Sequence, residues 1–161
     1  MKKVFLCIFL IFTILNAKDS LYYLPDESNI AIKEVETLLK ESKKSIDIAM
    51  YNFTYKKFAK LLKDSVKRGV RVTVILDKKK ALEEKKTQYD YLVKNGIDVI
   101  LLENKLHIKM AIIDKRNVIF GSANWKKKSF KNDYEILYIS DDKKMLSRFN
   151  HIFKELLQEY K

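Results

Sequence analysis

Residues 107–121, HIKMAIIDKRNVIFG, hold two runs of strand-forming residues parted only by Lys115-Arg116-Asn117. A link that short joins neighbouring strands antiparallel, because a parallel return needs a crossover of about a dozen residues. Any sheet in this chain must be antiparallel here. The segments before it have the opposite habit. Ala31, Val35, Leu38 and Leu39 form a helical stripe ahead of the strand SIDIAMYNF from Ser45. Phe58, Leu61, Leu62, Ser65 and Val66 repeat the stripe, with Thr54 placed to cap and Gly69 to stop it, before the β-branched run VRVTVILD from Val70. Residues 78–88 are almost wholly charged or polar, and Tyr89, Leu92 and Val93 give a weak apolar face before Gly96, which predicts one helix with an exposed first half. DVILL at 98–102, LYYL at 21–24 and YEILYIS at 134–140 are further strand candidates. Met145, Phe149, Ile152, Phe153, Leu156 and Tyr160 mark a closing helix with Asp141 near its start. Helices alternating with strands around one hairpin predict an α/β fold: a mixed β-sheet sandwiched between α-helices.

With 161 residues, one proline and three glycines, the chain offers one core and no linker. Residues 1–17, MKKVFLCIFLIFTILNA, have two lysines, an apolar run from Val4 to Leu15 and a small-residue end. That layout is a secretory signal, and the run is shorter than the ~20 residues that span a bilayer. Leu15 fits the cleavage site poorly, so an uncleaved membrane anchor is the alternative. The expectation is a leader at 1–17 and one domain at 18–161, exported and periplasmic, or tethered to the membrane and facing outwards. The only cysteine, Cys7, lies in the leader, so no disulfide or thiolate chemistry is expected of the domain. The formal charge of +12 points to a polyanionic partner, nucleic acid or an anionic membrane, without choosing between them.

Strand alternation puts His107, Lys109, Ala111 and Ile113 on one face and Ile108, Met110, Ile112 and Asp114 on the other. Asp114 is therefore expected behind the site. Ser122 and Asn124, two apart where the second strand runs out, would aim a hydroxyl and an amide at one spot. An imidazole, an ammonium, a hydroxyl and an amide with no leading carboxylate form a pocket for an anion. A lone histidine on a strand is more often a hydrogen-bonded structural residue, so the wider pattern has to decide.

That pattern is His107-x-Lys109, four residues, Asp114, six residues, Gly121-Ser122-x-Asn124. It resembles the signature of the phospholipase D superfamily, and within it the short exported bacterial endonucleases with one motif per chain. The likeness extends to the leader, the SIDIAMYNFT strand, the KRGVRVTVILD turn and NDYE after the asparagine, and so to most of residues 20–160. The resemblance implies that His107 attacks phosphorus to form a phosphohistidine while Lys109 and Asn124, helped by Ser122, hold the non-bridging oxygens. It implies a structural and orienting role for Asp114, a histidine-orienting role for Glu135, and no metal or other cofactor. The chain shows no Asp, Glu and His cluster with metal-ligand spacing. The mechanism needs a second histidine as acid. His151 has no lysine two residues on, so the resemblance implies a homodimer whose two copies of His107 titrate as a coupled set.

Trp125 could stack on a base or pack at a seam, and Lys126 to Lys128 could follow a phosphate backbone; both Trp125 and Lys126 are substrate-binding candidates. Lys78 to Lys80 with Lys85 and Lys86 read as a surface helix face. The leading expectation is a nuclease of low sequence specificity acting on DNA or RNA. A phospholipase D or cardiolipin-type lipid phosphodiesterase is the alternative, although the short link Glu103-Asn104-Lys105 before the motif leaves little chain for a lipid pocket. A non-catalytic basic DNA-binding surface protein is the third.

Overall fold

The computed structural model describes residues 18–159, so the leader and Tyr160 lie outside the described residues. In chain order the elements are β1 (Asp19–Leu24), α1 (Ser28–Glu41), β2 (Ser45–Met50), α2 (Lys56–Lys67), β3 (Arg71–Asp77), α3 (Lys78–Glu83) and α4 (Tyr89–Lys94). They are followed by β4 (Asp98–Leu102), β5 (Lys109–Ile113), β6 (Asn117–Gly121), α5 (Lys127–Lys131), β7 (Glu135–Ser140) and α6 (Lys143–Glu159). One seven-stranded sheet runs β1-β7-β6-β5-β2-β3-β4. The β2–β3 and β3–β4 pairs are parallel, and the other four are antiparallel. The mixed sheet expected from the hairpin is the sheet observed. β2 lies inside the sheet between β5 and β3 and is buried along its whole length, with Asp47, the charged residue in its apolar run, paired to Arg71 at 2.8 Å.

Alternation sorts the core into two layers. Ile46, Ile48, Val72, Val74, Ala111, Ile113, Ile119 and Leu137 face the stripes of α1 and α2, with Leu92 of α4 and Phe130 of α5. Ala49, Ile75, Ile100, Met110, Ile112 and Val118 face Leu146 and Phe153 of α6. That second layer is one helix against a wide sheet. It leaves Leu21, Tyr23 and Ile136 on β1 and β7 exposed at 61%, 50% and 49%.

Three local expectations change, while Asp141 does lie near the start of the closing helix. His107 and Ile108 precede β5, although the Tyr51 N–H donates to the Ile108 carbonyl at 2.9 Å and carries the β2 pairing past the strand end. Residues 78–94 are two short helices. The Asp77 carboxylate accepts from the Lys80 N–H to start α3, and the chain breaks at 84–88, which has no apolar side chain to bury and is tied down by Gln88 N–H to Phe53 O. Thr54 does not cap α2: Tyr55 holds the N-cap position, and the N–H groups of both donate to the Trp125 carbonyl. At α6 it is Asp142 that accepts from the Met145 N–H, while Asp141 accepts from the Lys18 N–H.

Candidate active site

The start of β5, the end of β6 and the start of β7 meet at one edge of the sheet. They enclose a cavity of about 470 Å³ lined by His107, Lys109, Gly121, Ser122, Asn124 and Glu135. Alternation does bring His107 and Lys109 to the same side. The Lys109 Nζ lies 3.2 Å from both ring nitrogens of His107 and donates to the His107 carbonyl at 2.9 Å. His107 is exposed, and Lys109 is 8% exposed.

Two positive groups this close disfavour each other's charge. The Lys109 ammonium, then burial, then Lys105 hold the His107 imidazole below its usual pKa, against a smaller upward pull from Asp77. Burial lowers the Lys109 pKa, and Lys105 adds to this while Glu135 opposes it. The histidine is thereby kept neutral, with a lone pair to use near neutral pH.

Gly121 is where β6 crosses closest to β7. Its φ is +155°, and a Cβ there would lie 2.2 Å from the Ile136 carbonyl oxygen, so no larger residue fits without moving the backbone. The crossing also fixes Ser122. Its N–H donates to Ile136 O at 3.1 Å and its hydroxyl accepts from Ile136 N–H at 3.0 Å, which leaves the hydroxyl proton available to a ligand. Asn124 Oδ1 accepts from the Asn52 N–H at 3.1 Å. That assigns the amide orientation and leaves the Asn124 NH₂ as a donor towards the cavity.

Asp114 stands apart from this group, as its parity requires. It sits in the hairpin turn with φ +54° and accepts from the N–H groups of Lys43, Lys44 and Ser45 at 2.8, 2.7 and 2.9 Å. Burial alone would raise its pKa, but those hydrogen bonds and Arg116 together bring it below the usual value. Glu135 lines the cavity, yet it makes no hydrogen bond to His107 among the described residues and instead supports the charge of Lys109.

Two substrate-binding candidates change place. Trp125 is 1% exposed and packs edge-on against Phe53 and Phe58, with ring centroids 5.2 and 5.0 Å away, so it belongs to the core and no base can stack on it. Lys126 lines a neighbouring groove, not the cavity that holds His107 and Lys109. Lys85 and Lys86 belong to no helix face; they lie in the 84–88 break and line that groove. His151 is on α6, 3.3 Å from Glu155, and takes no part in lining the cavity.

Nothing in the sequence singles out Tyr51 and Asn52. The Tyr51 ring lies 4.7 Å from the His107 ring, with the Lys109 and Lys80 ammonium groups 5.2 and 5.7 Å from its centroid. Asn52 is buried and spans two sites, holding Asn124 by its backbone and donating to Glu84 Oε2 at 3.1 Å by its side chain. Only the β2–β5 register, which sets Met50 opposite Lys109, reveals that these residues border the site. Among the described residues no three His, Cys, Asp or Glu side chains gather as metal ligands. The cavity's cation is an ammonium group.

Solved structures with this fold include NucT from Helicobacter pylori, 31% identical, with a TM-score of 0.84 over 89% of this chain and 98% of that one. Nuc from Salmonella typhimurium, described as a phospholipase D family member, is 23% identical with a TM-score of 0.81 over 91% and 97% of the two chains. Among curated proteins, the mitochondrial cardiolipin hydrolase of Homo sapiens is 25% identical over 142 residues, 81% of this chain and 52% of that protein. Its Xenopus tropicalis counterpart is 27% identical over 142 residues, 81% of this chain and 62% of that protein. The chain thus spans about half to two thirds of the length of these curated relatives. With residues 35–157 matching the family described as cardiolipin synthase, PLD-like domain, and NucT alike along nearly its whole length, the chain belongs to the phospholipase D superfamily.

Proposed function

We propose that the protein is a phosphodiesterase that cuts nucleic acid with little sequence preference, without a metal, through a phosphohistidine formed in a homodimer. The observation that carries this is the exposed imidazole of His107, 3.2 Å from the buried Lys109 ammonium, in a cavity walled by hydrogen-bond donors. In the first step a His107 ring nitrogen forms a bond to phosphorus as the bond from phosphorus to the leaving oxygen breaks. Lys109, the Asn124 NH₂ and the Ser122 hydroxyl receive the charge that grows on the non-bridging oxygens. The leaving oxygen takes a proton from His107 of a second copy, because two imidazoles meeting at one site titrate as a coupled pair in which one carries the proton. In the second step water attacks phosphorus, the N–P bond breaks, and that second histidine takes the proton from water.

The exposed strip on β1 and β7 supports the dimer. Tyr134, 80% exposed and stacked with Tyr23 at 6.1 Å, and Ile136 adjoin Glu135 in sequence and leave an uncovered apolar strip on which an isologous contact could form. Export through the segment at 1–17 is part of the same reading, and retention of that segment would tether the enzyme at a membrane. The curated relatives' name favours a second reading, hydrolysis of cardiolipin or a related phospholipid by the same groups.

Cleavage of single-stranded DNA, plasmid DNA and RNA by the full chain in excess EDTA, beside His107→Ala and a fluorescent cardiolipin, separates these readings. Nucleic-acid cleavage that survives EDTA and is lost in the variant is the expected result. Lipid turnover alone would move the assignment to the second reading. Binding of DNA with no turnover of either substrate would leave a non-catalytic surface protein.

A further inference from the structure

Past Asn124 lies a larger groove, of about 870 Å³, that the reaction above does not use. Three segments far apart in sequence feed ammonium groups into it: the first turns of α2 and α5 and the break between α3 and α4. Of its lysines, Lys57 is paired with Glu36 at 2.5 Å and Lys128 with Asp133. Lys56, Lys60, Lys85, Lys86, Lys126 and Lys127 have no ion-pair partner among the described residues. The only carboxylate lining the groove, Glu84, accepts from the Asn52 amide.

A solvated charge run spreads around one helix. Here the fold gathers cations from separate elements into one concavity, where screening over ~8–10 Å at physiological salt leaves neighbouring ammonium groups to repel one another. That self-repulsion is relieved by a ligand with several negative charges in a row. A lipid headgroup presents one or two phosphates at a fixed depth, whereas a nucleic-acid strand presents a series. Lys126 is two residues beyond Asn124, so at about 3.3–3.6 Å per residue the groove begins within about 7 Å of that residue. That brings the groove within about one or two phosphate steps of the scissile position along one strand. A single strand is flexible enough to follow the wall from the cavity into this groove, whereas a duplex is stiff over about 150 base pairs. The two sites are also joined by hydrogen bonds, Glu84 to the Asn52 side chain and the Asn52 backbone to Asn124.

We propose that this groove is an exosite for single-stranded nucleic acid, holding the phosphates next to the scissile one, so that cleavage becomes more efficient as the strand grows long enough to fill it. It rests on the nuclease reading above and adds a second binding site to it.

The test uses the full chain with Lys56, Lys60, Lys85 and Lys86 changed together to Gln, and a Lys85→Gln/Lys86→Gln pair, confined to the exposed break, in case the fourfold variant fails to fold. Binding of a long fluorescent single strand is measured against salt in a His107→Ala background. The slope of log K against log salt should shrink by about 0.7 for each phosphate no longer neutralised, about 2–3 for the fourfold variant. With His107 intact, kcat/KM for oligonucleotides of increasing length should climb about tenfold or more and then level off in the parent, and stay nearly flat in the variant. Hydrolysis of bis(p-nitrophenyl) phosphate, too small to reach the groove, should be equal in both. An unchanged salt slope and length dependence in a parent that cuts nucleic acid would overturn the exosite and leave the nuclease reading standing. A slope that falls in a parent that cuts no nucleic acid would do the reverse. Lysine-dependent binding to cardiolipin vesicles with none to the strand would overturn both.

Discussion

The hairpin formed by β5 and β6 carries charge at both ends, and the two ends treat it in opposite ways. At the turn, each oxygen of the Asp114 carboxylate is met by the backbone N–H groups that lead into β2. At the open end, Lys109 is buried with no carboxylate in salt-bridge contact among the described residues, His107 is exposed with its pKa lowered, and Ser122 and Asn124 each keep a donor unused. Charge answered within the fold adds stability, whereas charge and donors left unanswered cost stability and await a substrate. One motif thus supplies an anchor at one end and the proposed reaction site at the other.

The sharpest contrast comes from variants that disable one end only. His107→Ala should lower kcat by about 10⁴-fold or more, the scale expected for loss of a nucleophile, without lowering the melting temperature, since the ring is exposed. Asn124→Asp removes the donor but keeps the shape, and should cost about 10²–10³ in kcat. At the other end, Asp114→Ala should destabilise the fold by about 3 kcal/mol, from the loss of three hydrogen bonds and from placing at φ +54° a residue that tolerates it less well than Asp, while the folded fraction keeps its kcat. Chemical denaturation beside initial rates measures both.

Acid should separate the ends again. Because the folded pKa of Asp114 is depressed, its contribution is complete above the unfolded value near 3.8 and is lost as pH falls through the folded value. Stability measured downwards from pH 4 should therefore fall more steeply in the parent than in Asp114→Asn. The acid limb of kcat/KM reports His107, and its midpoint should lie below 6.5 and move upwards in Lys105→Gln, which removes one of the cations that lower it. Tyr51→Leu should have the smallest effect, a loss of roughly two- to sixfold in kcat/KM, the worth of one cation–π contact at the Lys109 ammonium.

The sequence makes legible whatever depends on local periodicity. Two-residue alternation is enough to put His107 with Lys109 and to set Asp114 apart, and a three-residue turn is enough to require a mixed sheet. The hidden features are non-local. Tyr51 and Asn52 border the site because β2 pairs with β5, across a gap of more than fifty residues that no run of letters specifies. The lysine groove needs three such coincidences. Trp125 is ambiguous in the sequence because an aromatic residue beside a polar motif suits a base or a core equally, and only the packing of Phe53 and Phe58 decides. The 84–88 break is hidden because charged residues have good helix propensity, while nothing in the segment can anchor a helix to the sheet.

The most direct test of the central claim is to trap the covalent intermediate. The full chain would be mixed with a labelled oligonucleotide, quenched within the first turnover under alkaline conditions that preserve phosphohistidine, and mapped by mass spectrometry in parallel with His107→Ala. A phosphoryl adduct on His107, absent from His151 and from the variant, is the predicted result. Cleavage at full rate with no adduct, or an adduct on another residue, would contradict the account.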